Sequence, residues 1–209
     1  FIIYGATTLG ADITTAAAST VINGIDTGDE AGVSLSIAGD INGDGYDDVV
    51  IGAPGGDGLA NGTTNAGEAY VLFGKAGGLD ASVNLSSLQA GDGSTGFTLT
   101  SSQATSWLGV SVAMIGDING DGFSDLAINA PSADSVSDNT GSTFVVFGKS
   151  GGYAATLNVD TLNGSDGFEI IGAEMDEYLG GKNSLSPAGD VNGDGIDDII
   201  VGSSGANDG

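Results

Sequence analysis

The feature that most constrains this chain is a nine-residue loop, Asp-x-Asn-Gly-Asp-Gly-x-x-Asp, that occurs three times. The copies begin at Asp40, Asp117 and Asp190, 77 and 73 residues apart. With the glycine before each, they align without gaps as GDINGDGYDD, GDINGDGFSD and GDVNGDGIDD. Self-similarity at a near-fixed period is the mark of a repeat architecture, in which one supersecondary unit is copied along the chain. A second marker keeps similar spacing. Tyr70-Val71-Leu72-Phe73-Gly74-Lys75 returns as Phe144-Val145-Val146-Phe147-Gly148-Lys149, and Phe1-Ile2-Ile3-Tyr4-Gly5 is a third copy.

Each unit reads as four short strands. The first alternates apolar and small residues, as in Val33 to Ile37 and Val110 to Met114, the period-two pattern of a strand. The second follows the acidic loop as a continuous apolar run: Val49-Val50-Ile51, Leu126-Ala127-Ile128 and Ile199-Ile200-Val201. The third is the Tyr/Phe-Val-Val-Phe-Gly segment. The fourth is Gly96 to Thr100 and Gly167 to Ile171, with Thr20-Val21-Ile22 as the N-terminal candidate. Strands apolar on both faces suit sheets held between neighbouring sheets. Four-stranded sheets set around an axis make a β-propeller. The expected class is therefore all-β, with propeller-type four-stranded blades. In this register two complete blades are flanked by complementary half-blades: residues 1–30, 31–107, 108–178 and 179–209. The opening without Met, basic segment or cleavage site reads as a piece of a longer polypeptide.

Composition narrows the function. Twenty-eight acidic residues face three lysines, a formal net charge of −25. That excludes a polyanion-binding surface for nucleic acid and argues against anionic membranes. No segment approaches the roughly 20 apolar residues of a membrane-spanning helix. Cysteine and histidine are absent, so disulfides, thiol nucleophiles and Ser-His-Asp arrangements are excluded.

The loop supplies what a hard cation takes: oxygen ligands at alternate positions. The sets are Asp40, Asn42, Asp44, the carbonyl of Tyr46 and Asp48; Asp117, Asn119, Asp121, the carbonyl of Phe123 and Asp125; and Asp190, Asn192, Asp194, the carbonyl of Ile196 and Asp198. Apolar or aromatic residues at position seven fit a role for the carbonyl alone. One such loop would read as paired Asx and glycine turns. Three copies, each keeping the aspartate at position nine, point to three Ca2+ sites. Magnesium, with its tight octahedron, fits less well. An EF-hand is excluded, because position twelve is Ile51, Ile128 and Val201 and strands flank the loop. The same departures exclude a dockerin-type module. The remaining acids Asp47, Asp197, Glu174, Asp176 and Glu177 read as solvated surface. Trp107 and Tyr178, in equivalent places, read as packing between units.

These residues resemble the FG-GAP repeat of integrin α-subunit propellers and of large bacterial and cyanobacterial surface proteins. The resemblance covers essentially the whole chain. The Gly-Ala-Pro element is Gly52-Ala53-Pro54, Asn129-Ala130-Pro131 and, degenerately, Gly202-Ser203-Ser204. The Phe-Gly element is Leu108-Gly109, Leu179-Gly180 and Ala31-Gly32. The third unit departs most, with Lys182 and Pro187 where an inner strand belongs. The resemblance implies calcium loops on one face and partner binding on the other.

The function expected is a non-catalytic, calcium-binding propeller segment for cell adhesion or recognition, outside the cell or at its surface. Its partner would be a protein or glycan surface ligand. The alternative is a structural subunit of a surface layer or filament, in which copies of the chain exchange half-blades.

Overall fold

A computed structural model describes residues 1–5, 19–37, 39–134 and 139–205. The described residues form an all-β molecule. Its strands are β1 (Val21–Asn23), β2 (Ser34–Ile37), β3 (Val49–Ala53), β4 (Glu68–Leu72), β5 (Ser82–Asn84) and β6 (Gly96–Thr100), then β7 (Ser111–Gly116), β8 (Asp125–Ala130), β9 (Ser142–Val146), β10 (Thr156–Asn158), β11 (Gly167–Ile171), β12 (Leu185–Gly189) and β13 (Asp198–Val201). One turn of α-helix, Ser86–Gln89, lies between β5 and β6.

The repeat shows directly in the pairing. β2, β3, β4 and β6 make an antiparallel sheet, and β7, β8, β9 and β11 repeat that order. β12 and β13 form a hairpin equivalent to β2 and β3, with Pro187 opposite Ile199 and a register shift between Pro187 and Gly189. The proline falls on a two-stranded ribbon, where its missing N–H is tolerated. At the N-terminus Ile2 and Thr20 form an antiparallel bridge, with the Ile2 N–H on the Thr20 carbonyl at 2.9 Å. Among the described residues no sheet closes on itself.

Two strands were not expected from the sequence. β5 pairs in parallel with β1, and β10 pairs in parallel with β6. Each comes from the connection after a Phe-Gly segment and extends the sheet of the preceding unit at its outer edge. The first large sheet is thus five-stranded, in the order β10-β6-β4-β3-β2.

Strand alternation divides the apolar residues between two faces. From the first sheet, Val50, Ala69, Val71, Phe97 and Leu99 face the second and meet Val112, Met114, Leu126, Ile128, Phe144 and Val146. On its other face Ile51, Ala53, Tyr70 and Leu72 pack on Leu85, Leu88 and Ile22. The second sheet uses Ala113, Ala127 and Val145 to receive Leu185 and Ile199 of the hairpin. Being apolar on both faces, the central strands hold each sheet between two cores. The first core reaches the acidic loops: Tyr153 stacks on Phe97 at 4.4 Å, and its hydroxyl donates to the Ile41 carbonyl at 2.9 Å.

Candidate metal centre

Each acidic loop connects the first two strands of a unit: β2 to β3, β7 to β8, and β12 to β13. Position one organises it. Asp40 Oδ1 accepts the N–H groups of Gly43 (2.7 Å) and Asp44 (3.1 Å), and Oδ2 accepts that of Gly45 (2.7 Å). Asp117 and Asp190 repeat this pattern on Gly120, Asp121 and Gly122, and on Gly193, Asp194 and Gly195. The Asn42 carbonyl oxygen accepts the Asp44 N–H, and Asp44 Oδ1 accepts the Tyr46 N–H; Asn119 with Asp121, and Asn192 with Asp194, do the same. The curl needs positive φ at Gly43 (+73°) and Gly45 (+89°), which glycine adopts without steric cost.

Position nine sits differently. Asp48 and Asp125 are fully buried at the base of their loops. Asp48 accepts the Ile41 N–H at 2.9 Å and the Gly74 N–H at 2.8 Å, tying its loop to the end of β4. Asp125 does the same with Ile118 and Gly148. Asp198 accepts the Val191 N–H at 2.8 Å. The sequence offered these aspartates only as ligands; here they also fasten backbone. Burial pushes the Asp48 and Asp125 carboxyls up to about 6, against the lowering effect of the backbone N–H bonds. The aspartates at positions one and five of the same loop add to the rise. Asp190, in the open third loop, is lowered, chiefly by the Gly195 N–H.

Among the described residues no three acidic side chains are already gathered as a cation-binding group. The physical reason is visible in the bonds just given, since the carboxylates are turned onto backbone N–H groups. The donor chemistry nevertheless fits a hard cation. Every side chain at positions one, three, five and nine carries oxygen. A carboxylate has about four lone-pair sites, of which Asp40 spends three on the backbone and Asp48 two.

The loops also touch one another. The Phe123 ring covers Gly43 so closely that a methyl group there would lie 2.3 Å from it, while Ile196 lies beside Gly120 more loosely, 3.8 Å from a methyl group placed there. The Ser124 N–H donates to the Asp40 carbonyl, and the Asp197 N–H to the Asp117 carbonyl, both at 3.2 Å. Asp197, expected as solvated surface, uses Oδ2 to accept the Asp117 N–H at 3.0 Å. Position eight is variable in type across the loops, so the sequence carried no sign of this contact. Trp107 and Tyr178, at the opposite ends of the strands, take positive φ (59° and 52°), and Trp107 is partly exposed instead of packed between sheets. Lys75 and Lys149 pair with Asp80 and Asp166.

The FG-GAP repeat pattern matches this chain at residues 31–72, 108–146 and 183–209, which include all three loops. A phosphatidylinositol-glycan-specific phospholipase D of Bos taurus is 34% identical over 166 residues, covering 78% of this chain and 17% of that protein. Integrin alpha-7 of Homo sapiens is 31% identical over 172 residues, covering 82% of this chain and 12% of the integrin. Integrin alpha-PS5 of Drosophila melanogaster is 30% identical over 188 residues, covering 89% and 16%. The chain therefore spans less than a fifth of the length of each of these relatives.

Proposed function

The chain belongs to the FG-GAP repeat family, and on that premise we propose that it is a calcium-stabilised, non-catalytic segment of an extracellular propeller used in adhesion or recognition. The observation that carries the calcium reading is the threefold copy of one hydrogen-bonded loop around Asp40, Asp117 and Asp190. The three curls share one donor pattern and each joins the first two strands of its unit; a cation drawn in among those carboxylates would offset their mutual repulsion. The residues that would hold each ion are those at positions one, three, five and nine, with the carbonyl of Tyr46, Phe123 or Ile196. Bound calcium would supply the missing positive charge and hold the loop. The aspartates at position nine link it to β3, β8 and β13.

The units are proposed as two complete blades, 31–107 and 108–178, between half-blades at 1–30 and 179–209. Similarity to integrin α-chains supports a protein or glycan partner at a cell surface. The phospholipase D match lies over the same repeats, so it gives no reason to assign this segment catalysis. No helix among the described residues is long and apolar enough to cross a membrane.

A second reading, end-to-end assembly of copies, is favoured by one observation. Leu35 and Ile37 on β2 are 63% and 66% exposed and line an apolar groove with Phe1, Ile3 and Tyr4, while Ile200 at the other end is 60% exposed.

Calorimetric titration with calcium tests the main reading. Three ions per chain are expected, with a rise in melting temperature that chelator reverses. Saturation at a hundredfold over Kd adds about 2.7 kcal/mol per site. Asp44→Ala, Asp121→Ala and Asp194→Ala should each remove one ion. A melting curve indifferent to calcium and chelator would exclude the reading.

A further inference from the structure

The loops are spaced over 70 residues apart in sequence, yet they form a continuous contact series. Residues seven and eight of each later loop rest on the loop before it. Phe123 covers Gly43 and Ser124 bonds the Asp40 carbonyl; Ile196 lies beside Gly120 and Asp197 bonds the Asp117 carbonyl. The second contact has an element the first lacks. Asp197 returns its carboxylate to the Asp117 N–H at 3.0 Å, so positions one and eight exchange hydrogen bonds in both directions. The close approach depends on Gly116, where a methyl group would lie 2.0 Å from Asp197 Oδ2.

Resting on the calcium reading above, we propose that the cation loops act as a coupled series, and that Asp197 of the third loop is a positioning residue for the second. Asp197 lies outside the donor set of its own loop but is joined to Asp198, which lies inside it. Holding Asp198 on an ion restrains the backbone of Asp197, and Asp197 in turn fixes the N–H of Asp117, the residue that organises the second loop. Calcium at the third loop therefore strengthens binding at the second. Coupling of this kind is reciprocal, so calcium at the second loop strengthens binding at the third.

The test is calcium calorimetry on the whole 209-residue chain, comparing it with Asp197→Ala and Asp197→Asn. Alanine removes the acceptor; asparagine keeps an oxygen able to take the Asp117 N–H. The expected result for alanine is an about tenfold loss in the combined affinity of the second and third loops, with the first unchanged, the scale of a lost hydrogen bond to a charged group. Asparagine should recover most of that loss. In a chain already carrying Asp121→Ala, which disables the second loop, Asp197→Ala should change the remaining sites less than about twofold.

Three wild-type sites unchanged by Asp197→Ala would overturn the coupling while leaving the calcium reading intact. An equal loss in the Asp121→Ala background would place the effect inside the third loop and overturn it too. Asparagine as weak as alanine would make Asp197 a distant charge and not a positioning group. A wild-type chain that takes no calcium would overturn the reading beneath. Melting in chelator checks the fold, and if alanine fails to fold, Asp197→Leu, of asparagine's size but without an acceptor, takes its place: leucine about tenfold weaker beside near-wild-type asparagine supports the hydrogen bond, and equal binding by the two overturns it.

Discussion

Asp48 and Asp44 stand four residues apart in the same loop and do different work. Asp48 is buried and holds two backbone N–H groups, of Ile41 and Gly74. Asp44 is exposed and bonds only within the curl. Removing Asp48 strands two donors, so Asp48→Ala should cost about 2 to 4 kcal/mol even in chelator. Asp44→Ala should leave the chelated melting temperature nearly unchanged and abolish only part of the calcium response. Equal effects of the two variants in chelator would contradict this division. Glu68 gives a separate test. It is buried on β4, its carboxylate takes the Tyr70 hydroxyl and the Gln89 side-chain amide, and burial is the largest cause of its raised pKa, ahead of repulsion from Asp29 and Asp26. A carboxyl whose folded pKa lies above its unfolded value favours folding most when protonated. Its contribution is therefore fully present below the unfolded pKa and is lost as pH rises through the folded one. Glu68→Gln removes that loss, so its melting temperature should gain on wild type as pH rises from 4.5 upward. Parallel melting curves across that range would show that Glu68 titrates normally.

At the scale of elements, the contact between the two large sheets is set by glycine as much as by apolar side chains. A methyl group on Gly52 of β3 would lie 2.0 Å from the Gly109 carbonyl and 2.2 Å from Ser34 Oγ. Ser34 itself donates to that carbonyl at 2.7 Å. Gly77 is the opposite case, with φ of +83° and open space around it. Gly52→Ala should cost about 1 to 3 kcal/mol by forcing the sheets apart. Gly77→Ala should cost about 1 to 2 kcal/mol from backbone strain alone, whereas Gly52→Ala brings a collision with fixed backbone. Urea unfolding of the two variants gives the comparison; a Gly77 variant less stable than the Gly52 variant would refute the packing argument. These elements differed in how far the sequence revealed them. β3, β4, β8 and β9 were legible because apolar runs bounded by glycine have few alternatives. β5 and β10 were not, since Ser82–Asn84 and Thr156–Asn158 are too short to show a period. Their parallel partners belong to a neighbouring unit, a long-range choice that local pattern does not encode. The threefold recurrence of the loop, and its place between the first two strands of each unit, were legible from spacing alone. The turning of Asp48 and Asp125 onto backbone was hidden, because a carboxylate at position nine serves either purpose.

At the scale of the whole molecule, the repeated contact defines one docking operation used twice: sheet on sheet, with position seven of one loop against the fourth-position glycine of the loop before. Gly43 meets Phe123 and Gly120 meets Ile196. The same surfaces recur at the two ends. Tyr46, the first of the position-seven residues, is 44% exposed and shares the apolar groove with Leu35 and Ile37, while Gly193 in the third loop has open space around it and Ile200 on β13 is exposed. One end thus carries the projecting surface and the other the receiving one, which is the head-to-tail arrangement that builds rings or open filaments. Either further units of the same kind or second copies would fit these ends by the operation already seen inside the chain. For the 209-residue chain in isolation, sedimentation in calcium should show mass increasing with concentration. Leu35→Ser with Ile37→Ser should abolish the increase, and Ile200→Ser alone should weaken it, because the two faces meet each other and not themselves. Mixing the two variants decides between modes: head-to-tail docking lets each supply the face the other lacks and yields dimers. A face that pairs with itself would leave the mixture no larger than its components.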